Sequence, residues 1–213
     1  MSESTTKTSK CSNCRRCGRK LFLKGERCNT ANCALVKRKY APGVHGQKRA
    51  TARVTDYGRQ LMEKQSARNL YNLREKQFRA YFDKAVSHEG ETGQNFYQTL
   101  ELRLDNVIRR LGWGHSIKHA RQLVNHGHFV VNGSKVSIPS YQLRVNDIIT
   151  IRDASIKNRK VFLDLAERLK GKDVAEWLFY DEKDMSAKVL GLPNASKVAL
   201  DFDMKSIIEF YSR

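Results

Sequence analysis

The sequence of 213 residues predicts an α+β fold, and three observations lead to that prediction. Apolar residues recur at helical spacing over residues 56–87 and again from residue 104. Two short runs rich in β-branched residues flank an Asn-Gly pair, a strong sequence signal for a β-hairpin. All five cysteines lie within the first 33 residues, in a segment with almost no apolar content of its own. We therefore expect helices, a small sheet and a separate Cys-rich N-terminus.

The Cys-rich N-terminus (residues 1–34) has the spacing of a metal-binding knuckle. Two pairs, separated by two and four residues, are formed by Cys11, Cys14, Cys28 and Cys33. Four thiolates suit tetrahedral zinc, and the metal would fold a segment whose apolar run is only residues 21–23. An iron–sulfur cluster is the less favoured occupant, and thiols without metal are a third alternative. Two residues separate Cys17 from Cys14, as two separate Cys14 from Cys11, so spacing alone leaves the choice of the first pair open.

Residues 35–55 predict an extended basic strap. No acid occurs between Leu35 and Arg53, and two Gly-containing pairs, Pro42-Gly43 and His45-Gly46, exclude regular structure. A solvated linker is the plain interpretation, but glycines beside Tyr40 suit close approach to a phosphate backbone and base stacking. The candidate RNA contacts in the strap are Lys37, Arg38, Lys39, His45, Lys48, Arg49 and Arg53.

The pattern from residue 56 to residue 100 is helical. Phe78, Tyr81, Phe82 and Ala85 recur at helical spacing, which indicates core packing rather than a cofactor pocket. Residues 88–93 predict a loop, and the next helix starts near Gln94.

Residues 102–138 predict a helix, a turn, a second helix and a β-hairpin. Ser116 is placed to cap the second helix, and Gly127 is placed to end it. The hairpin joins residues 129–131 to residues 134–138 across Asn132-Gly133. Residues 147–152 alternate like a further strand, residues 153–172 predict a basic, helix-leaning appendage, and the acidic tail from Asp173 is expected to pack on protein.

One side of the second helix is basic and polar, which predicts an RNA surface. Its residues repeat at i, i+3, i+4 and i+7: Lys118, Arg121, Gln122 and Asn125. The candidate RNA contacts in this unit are Arg103, Ser116, Lys118, His119, Arg121, Gln122, His126, Asn132 and Lys135. Ser116 has the alternative role of a cap, Asn132 that of a turn residue, and the histidines that of structural groups. Asp105 is expected to be an internal ion-pair partner.

The composition indicates which class of partner the protein binds. Forty Lys and Arg residues against 22 acids give a formal charge of +18, which favours a polyanion. No apolar run approaches the ~20 residues of a membrane span, and residues 1–10 lack the apolar region of a secretory signal. Binding to a membrane surface is disfavoured because no basic face opposes an apolar stripe. We therefore expect a cytoplasmic protein that binds nucleic acid, with no small-molecule substrate.

Several motifs resemble those of the bacterial small-subunit ribosomal protein S-four family. They are KLFLKGERC (Lys20–Cys28), APGVHGQKR (Ala41–Arg49), TDYG (Thr55–Gly58), REKQF (Arg74–Phe78) and the terminal IIEFYSR, and they span nearly the whole chain in order. The resemblance implies a mostly helical body of residues 56–100 plus 188–213, with residues 101–187 inserted as an RNA-binding domain whose core motif is 102–152. It also implies that Cys11, Cys14, Cys28 and Cys33 are the metal ligands, which leaves Cys17 outside the set.

The resemblance further implies a structural role in the ribosome. Members of the family bind small-subunit rRNA as primary binders, nucleate assembly of the body of the subunit, lie beside ribosomal protein S-five and help line the channel through which mRNA enters, which affects translational accuracy. Among the channel-lining candidates of the strap we favour Lys48, Arg49 and Arg53.

Two other classes of function remain as rivals at this point. The same small RNA-binding domain occurs in RNA-modifying enzymes, but the sequence has neither a Gly-rich phosphate loop nor a nucleophile–base constellation. A zinc-dependent DNA-binding regulator would need a recognition helix directly after the Cys pairs, and none is predicted. We therefore expect a non-enzymatic RNA-binding protein.

Overall fold

The computed structural model describes residues 10–47, 54–152, 162, 165, 169, 174–181, 184–197 and 202–213. Helices and one five-stranded sheet make up this part of the chain, so the predicted α+β class is confirmed. The chain divides into two compact units, residues 1–75 with 200–213 and residues 76–199. Among the described helices, none is long and apolar enough to cross a membrane.

The first unit pairs the N-terminal helices with the C-terminal helix. Its elements are α1 (Lys10–Cys17), a 3₁₀ turn (Gly25–Cys28), α2 (Ala34–Lys37), α3 (Asp56–Leu70) and the C-terminal helix α8 (Met204–Tyr211). The Thr55 side chain caps α3 by accepting from the Gly58 amide, and the Asp203 side chain caps α8 by accepting from the Lys205 amide. Helices α3 and α8 pack on each other, and the Gln60 amide donates to Glu209 at 2.9 Å.

A carboxylate at the start of α4 (Glu75–Ser87) gathers several partners in this unit. Glu75 accepts from Lys64 at 2.6 Å, from Arg68 at 3.1 Å and from the Tyr211 hydroxyl at 2.9 Å. Burial works to raise the pKa of Glu75, but the hydrogen bonds from Lys64 and Tyr211 and the nearby positive charges outweigh it and hold that pKa below its usual value. The C-terminal helix is thereby tied to α3 by charge as well as by apolar packing.

The second unit begins with helices packed through aromatic rings. Phe78 and Phe82 of α4 each meet Phe96 of α5 (Thr92–Glu101) edge to face, with ring centroids 5.2 and 5.6 Å apart. Phe78, Phe82 and Ala85 are buried as predicted, and Tyr81 is half-buried. The loop predicted over residues 88–93 gives way to α5 at Thr92, two residues before the expected start.

The sheet packs one face against α6 (Leu104–Arg110) and α7 (Ile117–Asn125). Its strands, β1 (Phe129–Val131), β2 (Ser134–Val136), β3 (Ile148–Ile151), β4 (Leu178–Asp181) and β5 (Ser186–Val189), lie in the order β2-β1-β3-β5-β4, all antiparallel. Phe129 pairs with Val136 and with Ile151, and its ring stacks on Trp113 with centroids 5.6 Å apart. Trp113 is fully buried at the centre of this core.

Two boundaries differ from those expected for the inserted domain. Strand β5 crosses the predicted end at residue 187, and Val189 is buried in the same core as Phe129. Residues 76–100 also belong to the same compact unit as the sheet. Strands β4 and β5 were not predicted, because β4 (LFYD) does not alternate apolar and polar residues and β5 (SAKV) alternates over only four residues. Most of the basic appendage expected at residues 153–172 lies outside the described residues.

Candidate RNA interface and cysteine knuckle

Helix α7 has the two-sided character that its sequence predicts. The Ser116 hydroxyl accepts from the His119 amide at 3.3 Å, so the expected N-cap is confirmed. The apolar side is buried and consists of Ile117, Ala120, Leu123 and Val124. The polar side faces solvent, with Lys118, Gln122 and Asn125 exposed and Arg121 half-exposed. A row of donors and positive charge is therefore available along one side of a rigid helix.

Arg121 differs from the other residues of this row in lying next to an acidic side chain, that of Asp105. Its guanidinium lies 3.6 Å from Asp105 Oδ2, while more than a third of its side chain remains accessible. Asp105 is itself buried on α6, so it orients Arg121 from below the surface. The expectation that Asp105 is an internal ion-pair partner is confirmed.

The structure contradicts the expected RNA contact of Arg103. This side chain is fully buried and forms two hydrogen bonds to Asp105, at 3.0 Å from Nε and 2.7 Å from the terminal nitrogen. It also donates to the Tyr81 hydroxyl and lies 5.4 Å from the centre of that ring. Arg103 directly precedes α6, where the chain is surrounded by core residues, so its charge is neutralised inside the protein. Burial raises the pKa of Asp105, and the Arg103 guanidinium opposes that rise.

The hairpin extends the surface of α7 through Lys135. The Lys135 side chain lies directly over Gly127, where an added Cβ would collide with it. Gly127 has a φ of +69° at the end of α7, a backbone conformation that favours glycine, and the absence of a Cβ leaves room for the end of the Lys135 side chain. An ammonium group at a helix C-terminus is favoured by the helix dipole. Lys135 is exposed, so the hairpin and α7 present one continuous basic surface.

Asn132 is occupied by the turn in which it lies. It adopts a φ of +48°, its amide nitrogen donates to Asp147 at 2.8 Å, and its amide oxygen accepts from the Ile148 backbone at 2.9 Å. Both polar atoms of the side chain are therefore used within the protein. The turn role, one of the two readings that the sequence left open, is the one that the contacts support.

Histidines flank both ends of α7. His119 accepts from the His115 amide at 3.2 Å, and the two rings lie 5.0 Å apart. At the other end His126 is exposed, and His128 is half-buried 6.0 Å from it. Burial, with His126 and Arg152 nearby, lowers the pKa of His128, so at neutral pH this ring is uncharged. One neutral ring, that of His128, therefore lies near the C-terminal end of the charged row.

The strap begins exposed but not extended. Lys37 ends the single-turn helix α2, and Lys37, Arg38, Lys39 and His45 are all exposed. Residues 41–46 fold back on themselves: Gly43 has a φ of +103°, and the Gly46 amide donates to the Gly43 carbonyl at 3.1 Å. The expectation of an extended chain is therefore wrong for this stretch, because glycine allows the reversal. The candidates Lys48, Arg49 and Arg53 lie outside the described residues.

The four cysteines of the predicted knuckle line one pocket. Its walls include Cys11, Cys14, Cys28 and Cys33, and three of the four are buried. Burial raises the pKa of Cys14, and the proximity of Cys28, Cys11 and Cys33 adds to the rise, while a backbone hydrogen bond at Leu21 opposes it. The Lys24 amide donates to the Cys28 sulfur at 3.4 Å. Amides directed at sulfur favour thiolates, the form that a metal requires.

Cys17 lies apart from this pocket. It is buried on the side of α1 that meets α3, where burial raises its pKa and the Ser66 hydroxyl and Arg19 oppose the rise. The geometry therefore separates Cys17 from the other four thiols, as the family resemblance implied.

The donor chemistry of the pocket fits a soft divalent metal, since four thiols from two segments of the chain line it. Within the described residues, however, no three His, Cys, Asp or Glu side chains are grouped closely enough to hold an ion. Three basic residues that the sequence analysis did not select share the pocket, namely Lys10, Lys24 and Arg27. The sequence already places these three residues close to cysteines, and that proximity could have identified them, because nearby cations stabilise thiolates.

Comparisons with known proteins cover most of the chain. Residues 5–101 match a family model described as "Ribosomal protein S4/S9 N-terminal domain", and residues 102–149 match one described as "S4 domain". The chain is 47% identical over 203 residues to "Small ribosomal subunit protein uS4" of Acetivibrio thermocellus, which covers 95% of this chain and 96% of the relative. Proteins of the same description from Pelotomaculum thermopropionicum and Thermotoga maritima are 48% and 46% identical at the same coverage.

Proposed function

Because this chain belongs to the family of small ribosomal subunit protein uS4, we propose that it binds small-subunit rRNA as a structural component of the cytoplasmic ribosome. The family is a structural one and not a family of enzymes. The observation that carries the proposal is the continuous basic surface formed by the polar side of α7 and by Lys135 over Gly127. Basic side chains on a rigid scaffold position a protein on phosphates, and neutral histidine and amide groups suit the shape of folded RNA.

Substitution of Lys118 tests this surface against a matched control. Lys118→Ala removes one exposed charge from α7, and Lys84→Ala removes one exposed charge from α4. We expect Lys118→Ala to weaken binding to transcribed small-subunit rRNA about three- to tenfold and to reduce the slope of log affinity against log salt by about one. Arg121→Ala should act in the same direction.

The control defines the result that would overturn the assignment. Lys84→Ala should leave both the affinity and the salt slope close to those of the unaltered protein. Equal losses in the two variants would mean that net charge, and not the α7 surface, governs binding. Preference for duplex DNA over the rRNA transcript would instead favour the DNA-binding alternative.

The finer roles proposed for this chain follow from the family. We propose that it binds early in assembly and nucleates the body of the subunit, that it lies beside ribosomal protein S-five, and that the strap helps line the channel through which mRNA enters, thereby affecting accuracy. The exposed positive charges of Lys37, Arg38 and Lys39 support the last role. Reconstitution of subunits with these three residues replaced by Gln tests it. We expect altered mRNA entry, together with weaker incorporation because the same strap residues are candidate rRNA contacts. Unaltered mRNA entry in the subunits that do form would exclude the channel role.

We also propose that Cys11, Cys14, Cys28 and Cys33 hold zinc, with an iron–sulfur cluster as the less favoured occupant. Support comes from the four thiols in one pocket and from the amide directed at Cys28. Zinc would supply a cross-link between two segments that share little apolar core. Elemental analysis of protein purified under reducing, anaerobic conditions should find one zinc per chain, and the absence of both zinc and iron would exclude the proposal.

A further inference from the structure

Helix α1 presents different sides to different neighbours. Positions 13 and 17, four residues apart, face α3: the Asn13 amide donates to Asn69 at 3.3 Å, and Cys17 lies beside Ser66. Positions 11 and 14 carry the thiols that line the cysteine pocket. Arg19, just after the helix, forms an ion pair with Glu63 of α3, with a second hydrogen bond of 3.0 Å. The helix is therefore anchored to α3 by contacts that involve neither the pocket nor the strap.

Arg15 points from this anchored helix to the strap. Its Nε donates to the Tyr40 carbonyl at 2.9 Å, and a terminal nitrogen donates to the Ala41 carbonyl at 3.2 Å. The guanidinium carbon also lies 4.9 Å from the centre of the Tyr40 ring. Two hydrogen bonds and a cation–π contact thus hold two consecutive strap residues, and a planar guanidinium is suited to such a bridge.

Of the two carbonyls that Arg15 holds, that of Ala41 opens the chain reversal at residues 41–46, and that of Tyr40 directly precedes it. A Cβ at Gly46 would collide with the Ala41 carbonyl, so the chain passes this atom at close range. The same reversal is closed by the hydrogen bond from the Gly46 amide to the Gly43 carbonyl. The Arg15 bridge therefore acts on the entrance of a compact turn, and the basic residues 37–39 directly precede that entrance.

We propose that Arg15 is a positioning residue: it does not contact RNA but fixes the strap in place for binding. This inference rests on the proposed rRNA-binding function. A basic segment held by such a bridge loses less conformational freedom on binding than a free one, so more of its interaction energy appears as affinity. Helix α1, which carries Arg15, is fixed by its contacts with α3. Arg15 therefore holds the strap in a defined direction relative to the rest of the first unit.

Two variants at Arg15 and one control separate this role from a phosphate contact. Arg15→Met removes the bridge and the charge. Arg15→Lys keeps the charge but replaces the planar fork by a single ammonium. Arg16→Met is the control, because Arg16 is exposed on the same helix and its replacement removes the same charge. Hydrogen–deuterium exchange of the Gly46 amide and binding of the full chain to transcribed small-subunit rRNA are measured for each.

The bridge predicts that both Arg15 variants increase exchange of the Gly46 amide. Arg15→Met should weaken rRNA binding about tenfold. Arg15→Lys should weaken it nearly as much, although its charge is unchanged. Arg16→Met should leave Gly46 exchange as in the unaltered protein. If Arg15→Met does not fold, Arg15→Lys alone carries both measurements.

Two results would overturn the inference. Unchanged Gly46 exchange in the Arg15 variants would mean that the bridge does not order the turn. Full rRNA affinity in Arg15→Lys, with a loss only in Arg15→Met, would make Arg15 a direct phosphate contact. Failure of the unaltered chain to bind rRNA would instead refute the proposed function, and the exchange measurement would still decide whether Arg15 holds the strap.

Discussion

The hairpin module (residues 102–152) and the Cys-rich knuckle are stabilised by different means. In the module, apolar residues of α6, α7 and the sheet converge on Trp113, which is fully buried. In the knuckle, the buried residues are mainly cysteines, joined by Leu21 and Leu23. Burial of a continuous apolar face stabilises the module by itself, whereas the knuckle has no such face and is held by ties such as the Arg19–Glu63 pair and, at the proposed zinc site, by the metal. Loss of one stabilising group should therefore have different consequences in the two regions.

The largest effect is expected in the knuckle. Cys28→Ser should abolish binding at the proposed zinc site, and because structural zinc contributes on the order of 10 kcal/mol to such segments, the part of the knuckle after α1 should unfold while α1 stays anchored to α3. Cys17→Ser should keep the metal, because Cys17 lies outside the pocket. Zinc content and near-ultraviolet circular dichroism distinguish the two variants. Loss of zinc from both would show that Cys17 belongs to the site.

The next largest effect is expected in the module. Trp113→Ala removes a buried ring that stacks on Phe129 and meets Tyr180 edge to face at 6.1 Å. The expected loss is about 3–5 kcal/mol of unfolding free energy, measured by denaturant titration. Zinc content should stay unchanged, since the knuckle does not draw its stability from this core. A parallel loss of zinc would remove the distinction between the two regions.

A buried ion pair gives a third test within the module. Arg103→Met leaves Asp105 as a buried charge without its principal partner and should cost about 3 kcal/mol. The double variant Arg103→Met, Asp105→Leu should recover much of that loss, because apolar groups of similar volume can replace a buried pair. The comparison of unfolding free energies checks both statements. No recovery would mean that Asp105 is needed chiefly for Arg121.

The smallest effect concerns pH and the first unit. The folded-state pKa of Glu75 is lowered, so its contribution to stability is present above the usual carboxyl pKa of about 4.3 and is lost as the pH falls through the lower folded value. Glu75→Gln should remove this part of the acid sensitivity of the first unit, whereas the acid sensitivity of the module should stay unchanged. The measurement is the denaturation midpoint of the unaltered protein and of Glu75→Gln from about pH 3 to about pH 7, a range that covers the titration of ordinary protein carboxyls.

Local signals in the sequence predicted the module well. The Ser116 cap, the end of α7 at Gly127 and the turn at Asn132-Gly133 each depend on a few neighbouring residues. The cysteine pairs were likewise visible from spacing, and the family resemblance selected the four that line one pocket. Strands β4 and β5 were missed because each has only four residues and depends on its partner: β4 pairs with β5, and β5 pairs with β3, which lies far earlier in the sequence.

The sequence by itself determined which faces are apolar, where helices and turns begin and end, and which family the motifs resemble. These properties follow from periodicity and backbone preference, which act between near neighbours. Only the tertiary structure decided that Arg103 is buried while Arg121 stays half-exposed, that Lys135 lies over Gly127, and that Arg15 holds the strap. The reason is physical: the environment of a charged side chain is set by residues distant in sequence, and the same arginine can neutralise an internal acid, face a phosphate or bridge two carbonyls.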